Sequence, residues 1–410
     1  LKKIRIAVIG GGASGMMAAI AAARLGAEVT IWEKNARVGK KLLATGNGRC
    51  NFTNIRTEIS RYHGEDPSFA APALEQFTAD QTLQFFGSLG IAHRVEENGK
   101  VFPRSGQASS VLDVLRHEMA ELNVEVECDS EVGAVERTAG YFRLALSSGS
   151  RCEADRVIVA SGGKASPNLS SAGLGYPIAS RLGHRIVMPG PALVPLKLEF
   201  AFLRQIRGIK WDGNASILAD RKPVESAEGE ILFTEYGISG PPVLDLSRTA
   251  LERQRKGEHV ELSVSLVPEM TSRELRESLM ARFSAAGGKN LDFALVGFIN
   301  KQLIPVLLRS AGIEAAGRRA DGINRKETDR LAGLMQDWRF PVTGFAGWMH
   351  AQVTTGGVST KDIDPATLQS RLVPGLYFTG EIVDIDGDCG GFNLQWAWSS
   401  GHVAGSHASG

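Results

Sequence analysis

Between Arg5 and Glu33 the chain reads strand, glycine turn, helix, strand, acid, and few folds accept that order. Ile6, Val8 and Ile9 supply the branched apolar bulk of a short buried strand. The turn is Gly10-Gly11-Gly12-Ala13-Ser14-Gly15, an Ala/Met-rich helix runs from Met16 to Leu25, Gly26 ends it, and Glu28 to Trp32 forms a second strand closing on Glu33. Each part has a physical task. Gly10 permits the tight turn, Gly12 lets the backbone approach a diphosphate with no Cβ between, and Gly15 lets the helix lie close to the strand. The helix N-terminus offers free N–H groups and a partial positive charge to the phosphates. Glu33 stands where a ribose hydroxyl would donate to it. The pattern predicts dinucleotide binding without choosing between FAD and NAD.

Composition narrows the remaining classes. The chain has 410 residues, 46 basic against 45 acidic, and a net charge of +1, so no global field draws in nucleic acid or an anionic membrane. At 43% hydrophobic it is an ordinary globular sequence, long enough for two or three domains. No run of about 18 apolar residues is present, and the first residues lack the apolar core of a signal peptide, so a soluble cytoplasmic protein without membrane contact is expected. Cys50, Cys128, Cys152 and Cys389 are scattered, with no C-x-x-C and no H-x-x-x-H pair elsewhere, so no metal site is expected. No second G-x-G-x-x-G lies between a strand and a helix, which argues against a resident second nucleotide. NAD(P)H, if used as electron donor, is therefore expected to visit transiently or to act through a partner.

Three further segments favour FAD. A second glycine-rich loop, Thr45-Gly46-Asn47-Gly48-Arg49-Cys50-Asn51, follows the acid closely and suits a ligand extending beyond adenosine. Arg156 to Val159 is an apolar strand running into Ala160-Ser161-Gly162-Gly163, a close-approach turn with Ser161 and Gly162 at the cofactor. Near the far end of the chain, the strand Gly375 to Phe378 leads through Thr379-Gly380-Glu381 to Asp388-Cys389-Gly390-Gly391-Phe392-Asn393 and a helix from about Leu394 to Val403. That last turn would aim N–H groups at the edge of a reduced flavin where negative charge develops.

The blocks AVIGGGASGMMAA, GKKLLATGNGRCNFTN, VASGGKASP, LFTEYGISGP and LYFTGEIVDIDGDCGGFNLQWAWSSG, in this order, resemble the BaiN-like (YhiN-type) bacterial flavoproteins, also labelled aminoacetone oxidase family FAD-binding enzymes. The likeness runs from Ile6 to about Gly405. It implies an α/β fold: a glutathione-reductase-like, Rossmann-type FAD domain built from both chain ends, with a β-rich insert carrying a helical insert. By matching motifs, Gly10, Gly12, Ala13, Ser14 and Gly15 would line the diphosphate, Glu33 and Lys34 the adenosine ribose, and Val132 the adenine. Lys41, Asn47, Gly48 and Cys50 would border the ribityl–flavin half. Gly380 and Glu381 would sit by the ribityl chain, with Gly391, Phe392 and Asn393 against the isoalloxazine. One departure stands out, since many flavoproteins of the wider superfamily carry Gly-Asp where this chain has Gly380-Glu381.

The chain is expected to divide into 1–188 (FAD domain, first part), 189–268 with 340–355 (β-rich insert), 269–339 (helical insert) and 356–410 (FAD domain, return). Helices are expected over Ala73–Phe77, Gln81–Leu89, Ser109–Leu122, Ser272–Ala286, Leu291–Leu308 and Arg325–Gln336, and strand over Gly344–Val353. Cys389, Asn393 and His350 are the candidate catalytic residues: Cys389, like Cys50, a proton donor or a small packing residue beside the cofactor, and His350 on the returning strand an acid or base or a structural residue. Asp384, Asp386 and Asp388 form an acidic loop beside them, either solvated or holding substrate. The resemblance implies an FAD-dependent oxidoreductase that reduces an activated C=C bond in a small conjugated molecule at the expense of NAD(P)H. Two alternatives keep the cofactor: reduction of uridine to dihydrouridine in ribosomal RNA, and an amine (aminoacetone-like) oxidase using oxygen. A weak basic stretch, Leu203 to Lys222 with Arg204, Arg207, Lys210, Arg221 and Lys222, is the candidate RNA contact, against a plain solvated surface.

Overall fold

The computed structural model describes residues 3–169 and 172–410, and the strands and helices named here are those of the described residues. They form two compact units: residues 1–191 with 348–410, and residues 192–347.

The first unit is built on a parallel sheet. Leu376–Phe378, Arg156–Val159, Arg5–Ile9, Glu28–Trp32 and Glu125–Glu127 lie side by side in that order. The strands read as apolar runs because both faces are covered, and Val8, Ile31, Val157, Ile158, Val159 and Leu376 are all fully buried. A three-stranded antiparallel meander, Val132–Arg137, Phe142–Leu146 and Arg151–Ala154, intervenes between two of the parallel strands.

Two helices from opposite ends of the chain pack against each other in this unit. Ala13–Arg24 opens from the glycine turn, and Phe392–Ala408 closes the fold. Their contact is a backbone contact. A Cβ placed on Gly401 would meet the Ser14 carbonyl oxygen at 2.5 Å, and one on Gly405 would strike the Ala18 carbonyl oxygen. Four residues apart, the two glycines lie on one face of the closing helix. The opening helix answers with its own small buried residues, Ala18, Ala21 and Ala22.

The second unit centres on a closed barrel of Leu196–Leu198, Gly237–Ser239, Lys222–Phe233, Lys210–Ala219, Val260–Ser265 and Trp338–Phe345. Buried and partly exposed residues alternate along Val260–Ser265, and its inward Leu262 and Val264 sit opposite Phe340 and Trp338. The helices Ser272–Ser284, Leu303–Ser310 and Arg325–Gln336 share one apolar cluster with the barrel through Leu275, Leu279, Leu307, Leu331 and Met335.

The α/β, Rossmann-type reading of the sequence holds, and several local readings change. The single helix expected over Leu291–Leu308 is two, Leu291–Ala294 and Leu303–Ser310, because Gly297 turns to φ +85° between them. The stretch 189–268, expected to be β-rich, contains a 15-residue helix, Pro241–Arg255. The strand expected over Gly344–Val353 is interrupted by a turn at residues 348–350. Residues 348–355 belong to the first unit rather than to the insert, since the strand Val353–Val358 pairs with Ile186–Ala192. The barrel and the helices of 269–339 fall in one unit because they share that apolar cluster.

Two outcomes test this packing. Gly405→Val sets branched carbons against the Ala18 carbonyl and should cost roughly 1–3 kcal/mol or more, read as a lowered unfolding midpoint. In the second unit Glu327 accepts from both guanidinium N–H groups of Arg318, at 2.7 Å each, and from the Asn324 backbone N–H at 3.0 Å. The Arg318 hydrogen bonds, then that cap, hold its carboxyl at about 2. The stabilisation is therefore complete above the ordinary carboxylate value and is lost as pH falls toward 2. Glu327→Gln keeps the cap but loses the charge, and should lower stability by about 1 kcal/mol at neutral pH. The difference from the parent should shrink steadily in unfolding curves taken between pH 5 and about 2.

Candidate functional site

The glycine turn is shaped for something outside the protein. Gly10 adopts φ +105°, its N–H donates to Trp32 O at 2.9 Å, and a Cβ there would lie 2.6 Å from Ala160 O. A Cβ on Gly15 would strike the Gly10 carbonyl. These two glycines answer to the protein's own backbone. Gly12 does not, because a Cβ there would meet nothing within 4 Å and its φ of −79° is open to any residue. It caps the helix with no side-chain hydrogen bond, and the first intrahelical bond is Met16 N–H to Gly12 O at 2.9 Å. The first-turn N–H groups at Ala13, Ser14 and Gly15 therefore face away from any capping side chain, as an anion site requires.

Around that turn the other expected residues assemble. Glu33 is buried at the end of its strand, and its carboxylate accepts from Gly11 N–H at 2.8 Å and Asn35 N–H at 2.9 Å. The Ser161 hydroxyl is buried with no hydrogen-bond partner, and its Cα is among the atoms a Cβ on Gly10 would meet. An orphaned hydroxyl beside a glycine cradle is the signature of a ligand oxygen's place. Gly162 takes φ +69° next to it. Ser14 Oγ donates to Thr379 O at 3.4 Å, and a Cβ on Gly380 would lie 2.5 Å from that hydroxyl, so the two chain ends meet at the helix start. Val132 is buried at the head of the meander, while Lys34 is half-buried.

Glu381 is the hub of the far half. Lys41 Nζ donates to one carboxylate oxygen at 2.7 Å, and Thr354 donates to the other from its N–H at 3.0 Å and its hydroxyl at 2.7 Å. Three segments distant in sequence converge there. Thr354 also accepts from Lys164 N–H at 2.7 Å and Ala165 N–H at 3.0 Å, which pins the turn after Ser161. Sequence reasoning passed over Thr354, two of whose partners lie 190 and 189 residues away.

The loop from Asp384 to Asn393 is ordered by its own hydrogen bonds. The Asn393 amide accepts from Gly387 N–H at 2.8 Å and donates to the carbonyls of Gly387 at 2.7 Å and Asp388 at 3.3 Å. Asn54 Nδ2 donates to Gly390 O at 2.9 Å. Gly391, at φ +104°, then caps the closing helix, and no side chain caps it. Asp384 and Asp386 are buried, so the acidic loop is not the solvated one the sequence left open. Asp384 accepts from Glu65 N–H at 2.9 Å. Asp388 is the half-buried one, and it pairs with His63 and Arg61. Trp396 and Trp398 are buried and donate to Gly380 O at 3.1 Å and Phe52 O at 2.7 Å.

The remaining candidates separate. Cys50 is fully buried at φ +60°, and burial pushes its thiol up to about 12 against a weaker opposing hydrogen bond from Thr45, so it is a neutral packing group. Asn47 and Gly48 are exposed, with φ +56° and +81°. Cys389 is half-buried beside Asp388. His350 lies exposed in the turn at 348–350, not on a strand. In the basic stretch, Arg207 pairs with Glu235 at 3.7 Å and Lys210 with Glu230 at 2.8 Å, which neutralises part of it. Among the described residues no cluster of three metal-capable side chains occurs, and no helix is long and apolar enough to cross a membrane.

The donors fit an FAD: first-turn N–H groups for the diphosphate, a buried acid for the ribose, and an uncapped second helix start. Gly12→Val tests the fit. The side chain enters space the protein leaves open, so stability should change by no more than about 1 kcal/mol. Flavin should nevertheless be lost on purification, whereas a Gly12→Val protein that stays yellow would place the diphosphate elsewhere.

Known proteins agree with this reading. The profile of the HI0933-like protein Rossmann domain matches residues 4–407. A 3-dehydro-bile acid delta(4,6)-reductase from Clostridium scindens is 40% identical over 407 residues, 99% of each chain. Ribosomal RNA dihydrouridine synthases from Escherichia coli and Haemophilus influenzae are 32% and 31% identical, covering 96% and 97% of this chain and 95% and 96% of theirs. Among solved structures, the 3-ketosteroid-delta4-(5alpha)-dehydrogenase of Rhodococcus jostii RHA1 shares the fold at 14% identity and a TM-score of 0.50, over 100% of this chain and 97% of its own.

Proposed function

The chain belongs to the HI0933-like family and is an FAD-dependent oxidoreductase; from that premise we propose that it reduces an activated C=C bond in a small conjugated carbonyl compound, with NAD(P)H as a transient electron donor. What carries the reading is the full-length, 40% identity to an enzyme named as a reductase of a bile-acid double bond. Bound FAD supplies the two-electron redox centre. The residues of this chain do the rest. The first-turn N–H groups after Gly12 hold the diphosphate, and Glu33 holds the ribose. Lys41 and Glu381 fix the ribityl side as a neutral pair. The uncapped helix start at Gly391 presents a positive dipole end to negative charge.

The dihydrouridine reading keeps the same chemistry, since uridine also presents a C=C bond conjugated to a carbonyl, and the two synthases support it. The ion pairs of Arg207 and Lys210 weigh against that stretch as its RNA contact.

One stopped-flow series separates the readings. The purified holoenzyme is mixed anaerobically with NADH or NADPH, bleaching of the yellow flavin is followed, and acceptors are then admitted. Rapid bleaching, slow reoxidation by air and fast reoxidation by a conjugated steroid ketone are expected. Fast reoxidation only by uridine-containing RNA, with salt-sensitive binding weakened by Arg204→Ala or Lys210→Ala, would move the reading to RNA. Bleaching by aminoacetone alone, with peroxide formed in air, would replace it with an amine oxidase.

A further inference from the structure

Beside the Asp388–Asn393 turn stands a histidine that neither the motifs nor the relatives' names bring forward. His63 lies on the two-residue strand Tyr62–His63, which pairs antiparallel with Asp386–Gly387, and His63 is in register with Asp386. Its Nε2 is 2.6 Å from Asp388 Oδ1. The other carboxylate oxygen, Oδ2, accepts from Arg61 Nη1 at 3.3 Å, and the Asp388 backbone N–H donates to Arg61 O at 3.0 Å. The Asn393 amide holds the carbonyl of the same aspartate. The aspartate that grips the ring is thus held at three further points.

This is the arrangement of an oriented proton donor. A carboxylate on one ring nitrogen fixes the ring's orientation and its tautomer, leaving the other nitrogen to act. Among the described residues Nδ1 has no hydrogen-bond partner. The His63 side chain is 32% exposed and that of Asp388 18%, so the acting group is reachable while its orienting partner is shielded. The turn that carries Asp388 ends three residues later at Gly391, the cap of the closing helix where the flavin ring is expected. Other groups against this turn are differently placed: Tyr62 is buried and donates to Phe392 O at 3.3 Å, and Arg61 lies over the Phe392 ring at 5.9 Å.

We propose that His63, oriented by Asp388, donates the proton in the reduction, in place of its neighbour in the turn, Cys389. The inference rests on the C=C reading above. The substrate's π bond would be lost as one carbon took a hydride, the two electrons of which reduced FAD would supply, and the other took the proton from His63 Nδ1. The ring would then recover its proton from water. Asp388 is a positioning residue, acting only through the ring.

The test uses holoenzyme reduced anaerobically with dithionite and then mixed with a conjugated cyclic ketone. His63→Gln should bind FAD and bleach with dithionite as the parent does, yet reoxidise about a hundredfold more slowly, within the range of general acid catalysis. Added imidazole should restore part of the rate to His63→Ala. Asp388→Asn should slow reoxidation less, and Cys389→Ala should leave it near that of the parent. Undiminished reoxidation in His63→Gln, or a loss confined to Cys389→Ala, overturns the assignment. A second readout needs no variant and no turnover: the ¹⁵N resonance of His63 Nδ1 in oxidised holoenzyme, titrated with the ketone or with a uridine oligonucleotide. A shift with either ligand supports His63, and no shift with both overturns it. If the parent enzyme is reoxidised by no conjugated ketone, the small-molecule reading has failed, and the nitrogen shift with uridine still decides the role of His63.

Discussion

The contact between the first and last helices of the chain is the constraint on which the first unit depends. Gly401 and Gly405 press against the backbone of the helix that begins at the glycine turn, so the two N-termini are set by one another. A side chain at either glycine would part the helices by the width of a methyl group or more. That displacement would reach the places where Ser14 meets Thr379 and Gly380, and with them the alignment of two helix starts. One start is suited to a diphosphate, the other to charge on a reduced ring. Glycine in a helix interior normally weakens it by up to about 1 kcal/mol relative to alanine. Two glycines retained on one buried face are explained by the close approach they permit.

Much of this could be read from the residues, and what could not has identifiable reasons. The strand–turn–helix–strand at the start was legible because Gly10 and Gly15 answer steric demands of the protein's own backbone, while Gly12 faces open space. The helix Arg325–Gln336 was legible to the residue because Asn324 and Glu327 form a capping box ahead of a regular apolar stripe. The helix Pro241–Arg255 escaped although its signals were present, with Pro at the first position and Gly257 just past the end. Its polar residues and flanking strands masked them. The strand read through His350 failed because apolar residues there belong to a turn between two strands of different units.

The partnerships among the expected site residues had no signal in the sequence. Lys41 and Glu381 were both foreseen, each for its own motif, yet the ion pair between them spans 340 positions and has no local trace. The same holds for Thr354, which binds Glu381 and the turn after Ser161 together, and for His63, whose aspartate lies 325 residues away. Patterns of period two or four report which face of an element is buried. They carry no information about which two loops will meet above a sheet.

Those partnerships also explain how so acidic a loop tolerates a negatively charged cofactor. Of the four carboxylates from Glu381 to Asp388, three meet donors of the protein itself. Glu381 pairs with Lys41, Asp388 with Arg61 and His63, and Asp384 accepts a backbone N–H. Buried carboxylates left without such partners would take up protons or push an anion away. With their charge answered inside the protein, the field at the helix starts is left to the peptide dipoles, and those point positive ends toward the ligand. Glutamate at 381 therefore belongs to the same solution as the glycines: the longer side chain reaches Lys41 and Thr354 at once and settles its own charge in doing so.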